Sequence, residues 1–282
     1  MTFWNRPAIW KPFLLIAGYL AFYVAVGQLI GLLFGDRIDT GNLLADPSSI
    51  FLALVLPIAI GAAALLVFTW RAGWLREVFG PQPIHGRAWM WIGPALVALA
   101  IAGHVGATDW GNWTGTEIAL IAVLGLCIGV VEELATRGLA VKMLRDADHG
   151  ERFVAVVSSL VFALMHSINL LSGMKLATVA STVGYTFCFG VCMYLVMRVT
   201  GTLWAAIVLH GLTDPTTFLS TGGIDQAVDT AGARGWSALT GIATIGLMLF
   251  AVVAVFLIRN QPPAAAQATR HQPPAGKHEA YD

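Results

Sequence analysis

The sequence predicts an all-α polytopic membrane protein with about eight transmembrane helices and both termini in the cytoplasm. Of its 282 residues, 57% are hydrophobic and only 11% are charged, whereas a soluble domain carries roughly 25% charged residues. Eight segments also approach the roughly 20 apolar residues that a helix needs to cross a bilayer. These segments are residues 12–34, 49–70, 88–107, 119–144, 153–173, 176–199, 201–219 and 236–258. The expected location is therefore the cell membrane, as a multi-pass integral protein.

Three of these segments need individual justification. Residues 12–34 follow a basic start, and their apolar run exceeds the about 7–15 residues of a signal-peptide core, so they are predicted to be an uncleaved first span. Residues 119–144 carry a charged cluster in their middle. Residues 201–219 are short and end near Pro215.

The chain divides into four predicted parts. Residues 1–118 hold the first three membrane helices, and residues 119–219 hold helices four to seven with most of the unusual polar residues. Residues 220–258 contain an exposed loop at 221–235 and the last helix. Residues 259–282 form a polar tail rich in Pro and Ala, which is predicted to be disordered.

The distribution of basic residues predicts the orientation. With both termini cytoplasmic, 13 of the 16 Lys and Arg residues fall on or toward the cytoplasmic side, and only Arg37, Lys175 and Arg234 fall outside. Cytoplasmic loops of membrane proteins carry such an excess of Lys and Arg, so the bias also predicts an even number of spans. The equal numbers of basic and acidic residues argue against a nucleic-acid partner.

Residues 131–138, VEELATRG, place three charged groups inside the fourth predicted span. An ionisable group at mid-membrane costs roughly 2.5–3.5 kcal/mol on insertion scales. Glu133 and Arg137 have the i,i+4 spacing of a helical ion pair, whereas Glu132 points about 100° away and is left over. The alternative is that all three cap the end of the helix, but the apolar pattern continues past Arg137. A GxxxG pair, Gly125 and Gly129, precedes the cluster and would permit close helix packing.

Two other spans carry histidines at unusual positions. His166 lies past the middle of residues 153–173, with Phe162 four residues earlier on the same face and Asn169 three residues later. His210 is central in residues 201–219, and Asp214 follows one turn later. A lone histidine in a membrane helix is more often part of an interhelical hydrogen bond than a catalyst. Two histidines and a spare glutamate on three helices favour one shared site.

Three kinds of chemistry fit a carboxylate and two imidazoles. The glutamate can act as general base toward water while the histidines stabilise an oxyanion. Glu132, His166 and His210 also match a zinc ligand set of two histidines and one glutamate. Buried Glu, His and Asp side chains serve transporters as proton relays as well.

The three polar motifs resemble those of the CPBP family, which contains CAAX proteases and bacteriocin-processing enzymes. EELATR at 132–137 resembles the EExxxR motif of that family, FALMH at 162–166 resembles FxxxH, and HGLTD at 210–214 resembles a His followed four residues later by Asn or Asp. The resemblance covers about 120–218. It implies an intramembrane endopeptidase, similar to type II CAAX prenyl endopeptidase, that hydrolyses a peptide bond near the C-terminus of a membrane-associated substrate. The substrate that the family name suggests is a prenylated CAAX tail, and the expected partners are that membrane-embedded peptide or protein and the lipid bilayer.

The resemblance also implies roles for single residues. Glu132 would activate water, Glu133 and Arg137 would form a supporting pair, and two histidines would be catalytic. The residues expected in the site are Glu132, Glu133, Arg137, His166, His210 and Asp214, with Phe162 and Asn169 in the pocket. Asp214 stands where the prenyl-protein enzymes have Asn, and an ionised Asp cannot donate a hydrogen bond to an oxyanion.

The resemblance leaves the cofactor and the activity open. The family has been described both as glutamic endopeptidases and as metalloproteases, so the expected cofactor is either none or zinc, held by Glu132, His166 and His210. Two other functions stay in view: a catalytically idle scaffold or bacteriocin self-immunity protein on the same fold, and a proton-coupled transporter.

Overall fold

The computed structural model describes residues 3–171, 173–223 and 234–260, and its regular elements in those ranges are all helical. Seven of the described helices are long and apolar enough to cross a membrane. They are α1 (Lys11–Arg37), α2 (Pro47–Ala72), α3 (Ala88–Ala107), α4 (Gly115–Asp146), α5 (Glu151–Leu170), α6 (Leu176–Thr200) and α8 (Gly235–Leu257). An eighth helix, α7 (Leu203–Thr221), lies between α6 and α8 in the chain and is not among the seven. The all-α membrane fold and the multi-pass membrane location are thus confirmed.

Helix α7 accounts for the difference between about eight predicted spans and seven candidates. It forms as a helix of 19 residues, but His210 near its middle and Asp214 and several threonines after it lower its apolarity below that of the other seven. The orientation with both termini in the cytoplasm stays a prediction, and it requires α7 to cross as well. The division at residues 118 and 219 also stays a prediction. Most of the predicted loop 221–235 and nearly all of the predicted disordered tail 259–282 lie outside the described residues.

Helix α6 lies at the centre of the bundle. In its most apolar stretch 61% of the residues are buried, against 22% for α1 and α8. Residues 188–198 are buried on every face of the helix, as expected for a helix that is apolar all round. Helices α3, α5, α7 and α8 pack around it.

Helices α4 and α7 cross at unusually short range because glycines face each other. A Cβ atom at Gly125 would lie 1.9 Å from Pro215 Cγ, and one at Gly129 would lie 2.4 Å from the carbonyl oxygen of Ile207. Gly211 lies on the opposite side of the same contact. Small residues at a helix crossing allow the two backbones to approach, and here they bring the middle of α7 against the charged cluster of α4.

Helix α4 changes its hydrogen-bonding pattern in the middle. It begins as an α-helix at Gly115, widens to a π-helix over Leu134–Ala140, and continues as an α-helix over Val141–Asp146. Short π-helical turns within α-helices occur frequently at functional sites. The charged cluster therefore lies inside a continuous helix rather than at its end, so the capping alternative for the three charges is wrong.

A second group of buried charges joins α4, α5 and α6 and is called here the Glu151 network. Arg145 donates to both oxygens of Glu151, at 2.8 and 3.0 Å, and Arg198 donates to Oε2 at 2.7 Å. The Tyr194 hydroxyl also donates to Glu151. Arg198 further donates to the carbonyl of His85 at 3.0 Å, so this network also holds the loop before α3.

Candidate active site

Glu133 connects α4 to α7 at the centre of the site. Its Oε1 accepts a hydrogen bond from His210 Nδ1 at 2.7 Å and lies 3.2 Å from Arg137 Nη1. Glu133, Arg137 and His210, called here the Glu133 network, are exposed by 0%, 1% and 2% respectively. Because Nδ1 of His210 binds Glu133, the other ring nitrogen, Nε2, is the one that faces Glu132.

Arg137 is fully buried, yet its guanidinium is well supported. Nη1 donates to Thr136 Oγ1 at 2.6 Å, and Nη2 donates to the carbonyl of Gly190 on α6 at 2.9 Å. The guanidinium carbon lies 4.4 Å from the ring centre of Phe162. A Cβ atom at Gly190 would lie 3.1 Å from Nη2, so the glycine permits this close approach. A buried charge is tolerated when it is paired and hydrogen-bonded, and Arg137 provides that compensation for Glu133.

Glu132 faces away from this pair and toward a cavity. Its side chain is 18% exposed, and Oε2 lies 3.4 Å from His210 Nε2. The cavity has a volume of about 400 Å³ and is lined by residues of α1, α2, α4 and α5. That volume falls within the range of small-molecule sites, about 300–1,000 Å³. The two adjacent glutamates therefore differ: Glu133 is enclosed in an ion pair, and Glu132 is open to a space that can hold a substrate group.

His166 reaches the same cavity from α5. The regular α-helical part of α5 ends at Met165, and a 3₁₀ turn follows over His166–Leu170. Nδ1 of His166 donates to the carbonyl of Phe162 at 3.1 Å, so Nε2 carries the lone pair in the neutral ring. Asn169 lines the cavity three residues later.

Phe162 of α5 contacts site residues on α4, α5 and α7. It is only 1% exposed, and its ring meets the rings of His166 and His210 edge-on, at centroid distances of 5.0 and 5.7 Å. Phe189 of α6 contacts His210 from another side at 5.0 Å. These aromatic contacts, with the bond to Glu133, fix the His210 ring.

Asp214 lies at the edge of the cluster. Its Oδ2 is 3.9 Å from His210 Nε2, and its side chain is 31% exposed. It does not belong to the residues that line the 400 Å³ cavity. The structure thus groups Glu132, Glu133, Arg137 and His210 tightly, and it places Asp214 one helical turn further along α7.

The zinc alternative was compared with the geometry of the same residues. Within the described parts of the chain, no group of three or more His, Cys, Asp or Glu side chains is arranged to hold a metal ion. His210 Nδ1 binds Glu133, so only Nε2 remains as a ligand atom on that ring. Glu132, His166 and His210 as they lie do not form a ligand set.

A family comparison covers this site. The model described as Rce1-like, type II CAAX prenyl endopeptidase, matches residues 113–216. That range runs from the start of α4 into α7 and contains every residue of the Glu133 network together with Glu132, His166 and Asp214. This core is similar to the Rce1-like CAAX proteases. The similarity supports a CAAX-type intramembrane protease. No curated protein and no solved structure matches the chain significantly.

The sequence reasoning missed the contribution of α1, which lies outside the Rce1-like range. Tyr19, Tyr23 and Gln28 of α1 line the cavity that Glu132 and His166 share. The available signal was the presence of these polar side chains in an otherwise apolar first span. Their position beside a glutamate more than 100 residues away follows only from the packing of the bundle.

Proposed function

We propose that the protein is a glutamate-dependent intramembrane endopeptidase that cleaves a peptide bond near the C-terminus of a membrane-associated substrate. The observation that carries this proposal is the contrast between Glu133 and Glu132. Glu133 is enclosed by Arg137 and His210, whereas Glu132 opens into a cavity that His166 also lines. Such a carboxylate has no structural need for its position and suits the role of a general base.

The proposed reaction begins with a water molecule beside Glu132 and His210 Nε2, which lie 3.4 Å apart. Glu132 takes one proton from this water while the water oxygen forms a bond to the scissile carbonyl carbon. The electrons of the carbonyl double bond move to its oxygen. When the carbon–nitrogen bond breaks, Glu132 returns the proton to the leaving nitrogen, which yields one carboxylic acid and one amine.

The histidines have separate proposed roles. His210 is held by Glu133 and two phenylalanine rings, so its Nε2 orients the water. His166 is fixed through Nδ1 by the Phe162 carbonyl, and Nε2, when protonated, donates to the developing oxyanion. Such donors act strongly where water is excluded, as in the interior of a helix bundle.

The substrate class that the family suggests is a prenylated C-terminal CAAX sequence. The test uses the purified full-length protein in lipid vesicles and a prenylated CAAX peptide, with the same peptide lacking the prenyl group as a second substrate. Cleavage of both peptides would support the endopeptidase activity and show that the substrate does not need a prenyl group. Glu132→Gln is expected to lower kcat by about 10²–10⁴-fold, the usual contribution of a general base, with an almost unchanged melting temperature.

The matched control is Glu117→Gln, since Glu117 lies on the same helix but far from the cavity, in the first turn of α4. It should cleave like the wild type. A Glu132→Gln protein that cleaves at the wild-type rate would contradict the proposed mechanism. The scaffold alternative would be indicated by two results together. The wild type would cleave neither peptide, and cells that carry Glu132→Gln would grow and behave like cells that carry the wild type. Loss of cleavage with a chelator and its return with zinc would overturn the metal-free mechanism.

A further inference from the structure

The first membrane helix contributes a buried hydroxyl group to the candidate site. Tyr19 of α1 is only 6% exposed and lines the cavity together with Glu132 and His166. Among the described residues its Oη has no hydrogen-bond partner. A buried hydroxyl without a partner destabilises the fold, so an unpaired one in the cavity that Glu132 lines calls for a functional explanation.

The surrounding residues hold this hydroxyl in place. A Cβ atom at Gly61 of α2 would lie 2.7 Å from Tyr19 Oη and 3.0 Å from its Cε2, so only glycine leaves room for the phenol. The ring of Tyr23 stacks on that of Tyr19 at 6.4 Å. Glu132 is close enough for its charge to act on both tyrosine hydroxyls. The position of Tyr19 is therefore specified by two helices that lie outside the Rce1-like range.

We propose that Tyr19 is a further catalytic residue, whose hydroxyl donates a hydrogen bond to the oxygen of the scissile carbonyl as Glu132 activates the water. The inference rests on the proposed endopeptidase function. A phenol is a neutral donor that needs no prior protonation, which distinguishes it from His166. Asp214, by contrast, cannot donate to an oxyanion while it is ionised. Tyr19 thus supplies from α1 a donor in addition to His166 of α5.

The test is the Tyr19→Phe variant, which keeps the ring and removes only the hydroxyl. Removal of one oxyanion donor lowers kcat by about 10²–10³-fold, so this loss is expected in kcat with little change in KM. The melting temperature should stay the same or rise, because the lost hydroxyl has no partner. Tyr194→Phe is the matched control, since Tyr194 lies in α6, donates to Glu151 and is outside the cavity, and the folded protein should keep wild-type kcat.

A second variant separates the position of the hydroxyl from its presence. Gly61→Ala keeps the Tyr19 hydroxyl but must displace it, and it should lower kcat as Tyr19→Phe does. Wild-type kcat in Tyr19→Phe, while Glu132→Gln is inactive, would overturn the role of Tyr19 and leave the endopeptidase intact. Activity in Glu132→Gln would overturn the proposed function itself. A Tyr19→Phe variant with a lower melting temperature, whose activity falls only in proportion to the loss of folded protein, would show that the hydroxyl is structural. That result would also contradict the inference.

Discussion

The Glu133 network and the Glu151 network each bury an Arg–Glu ion pair that involves an arginine of helix α4, yet the two networks differ in their surroundings. Glu151 accepts from two arginines and a tyrosine, and both of its oxygens are bound. Glu133 is enclosed in a similar way by Arg137 and His210. The difference is the neighbouring carboxylate: Glu132 opens into a cavity, whereas Asp146, which follows Arg145 of the Glu151 network, is paired with Lys142.

This comparison shows that a buried charge alone does not identify an active site. Breaking a buried ion pair is costly whether or not the pair has a function. What distinguishes a reactive site is an ionisable group that the pairing leaves over and that faces a space for substrate. By that criterion Glu132 is the proposed reactive group, and Glu133, Arg137 and the Glu151 network are the proposed structural supports.

The largest expected effect is a loss of stability when the Glu151 network is disrupted. Glu151→Gln would leave Arg145 and Arg198 buried without a counter-charge, so we expect a loss of about 3–5 kcal/mol in the free energy of unfolding. The kcat of the protein that remains folded should stay near wild type. Thermal unfolding in detergent and cleavage assays normalised to folded protein measure the two quantities.

The matched variant is Glu132→Gln, which should show the opposite pattern of stable protein and lost kcat. If Glu151→Gln lowered kcat as strongly as Glu132→Gln at equal folded fraction, the two networks would not differ in the way described. The pair of variants therefore tests the division between reactive and supporting carboxylates more sharply than either alone.

The next effect concerns how the two helices of the Glu133 network meet. Gly129→Ala places a methyl group where the Ile207 carbonyl oxygen lies 2.4 Å away, so α7 must move relative to α4. Overpacking of this kind costs about 1–3 kcal/mol, and the His210–Glu133 bond should be lost with it, which lowers kcat. Gly31→Ala is the control, since a Cβ atom at Gly31 meets nothing within 4 Å. Equal kcat and stability in the two variants would show that the α4–α7 crossing does not position His210.

Much of this molecule could be predicted from its sequence because the relevant signals are local. Apolar runs of membrane length give the helices, and the spacing of Glu133 and Arg137 gives an ion pair that the structure contains at 3.2 Å. His166 and His210 were singled out because polar residues stand out in apolar segments. The family match over residues 113–216 confirms the resemblance that these motifs suggested.

The rest depends on contacts between distant parts of the chain. The π-helical widening of α4 leaves no clear trace in the residues 134–140, and the support of Arg137 by the Gly190 carbonyl involves a backbone atom that no motif can show. The place of Tyr19 in the cavity follows from the packing of α1 against α4 and α5. The polar residues of α7 contribute to the site, and the same residues make α7 the least apolar of the predicted spans.

The smallest expected effect extends the comparison to a carboxylate that lies outside the membrane spans. Asp46 precedes the first turn of α2, where the Ser48 hydroxyl, the Ser49 hydroxyl and their backbone N–H groups donate to it, and these bonds lower the pKa of Asp46 to about 2. Since an unfolded Asp titrates near 3.9, the stabilisation is fully present above about pH 4 and is lost as the pH falls toward 2. Asp46→Asn should therefore melt below the wild type at pH 6 by a small margin that closes on acidification, and Ser48→Ala should show part of the same margin. A margin that is constant with pH would mean that the charge of Asp46 does not contribute, and that this carboxylate, unlike Glu151, could be neutral without effect.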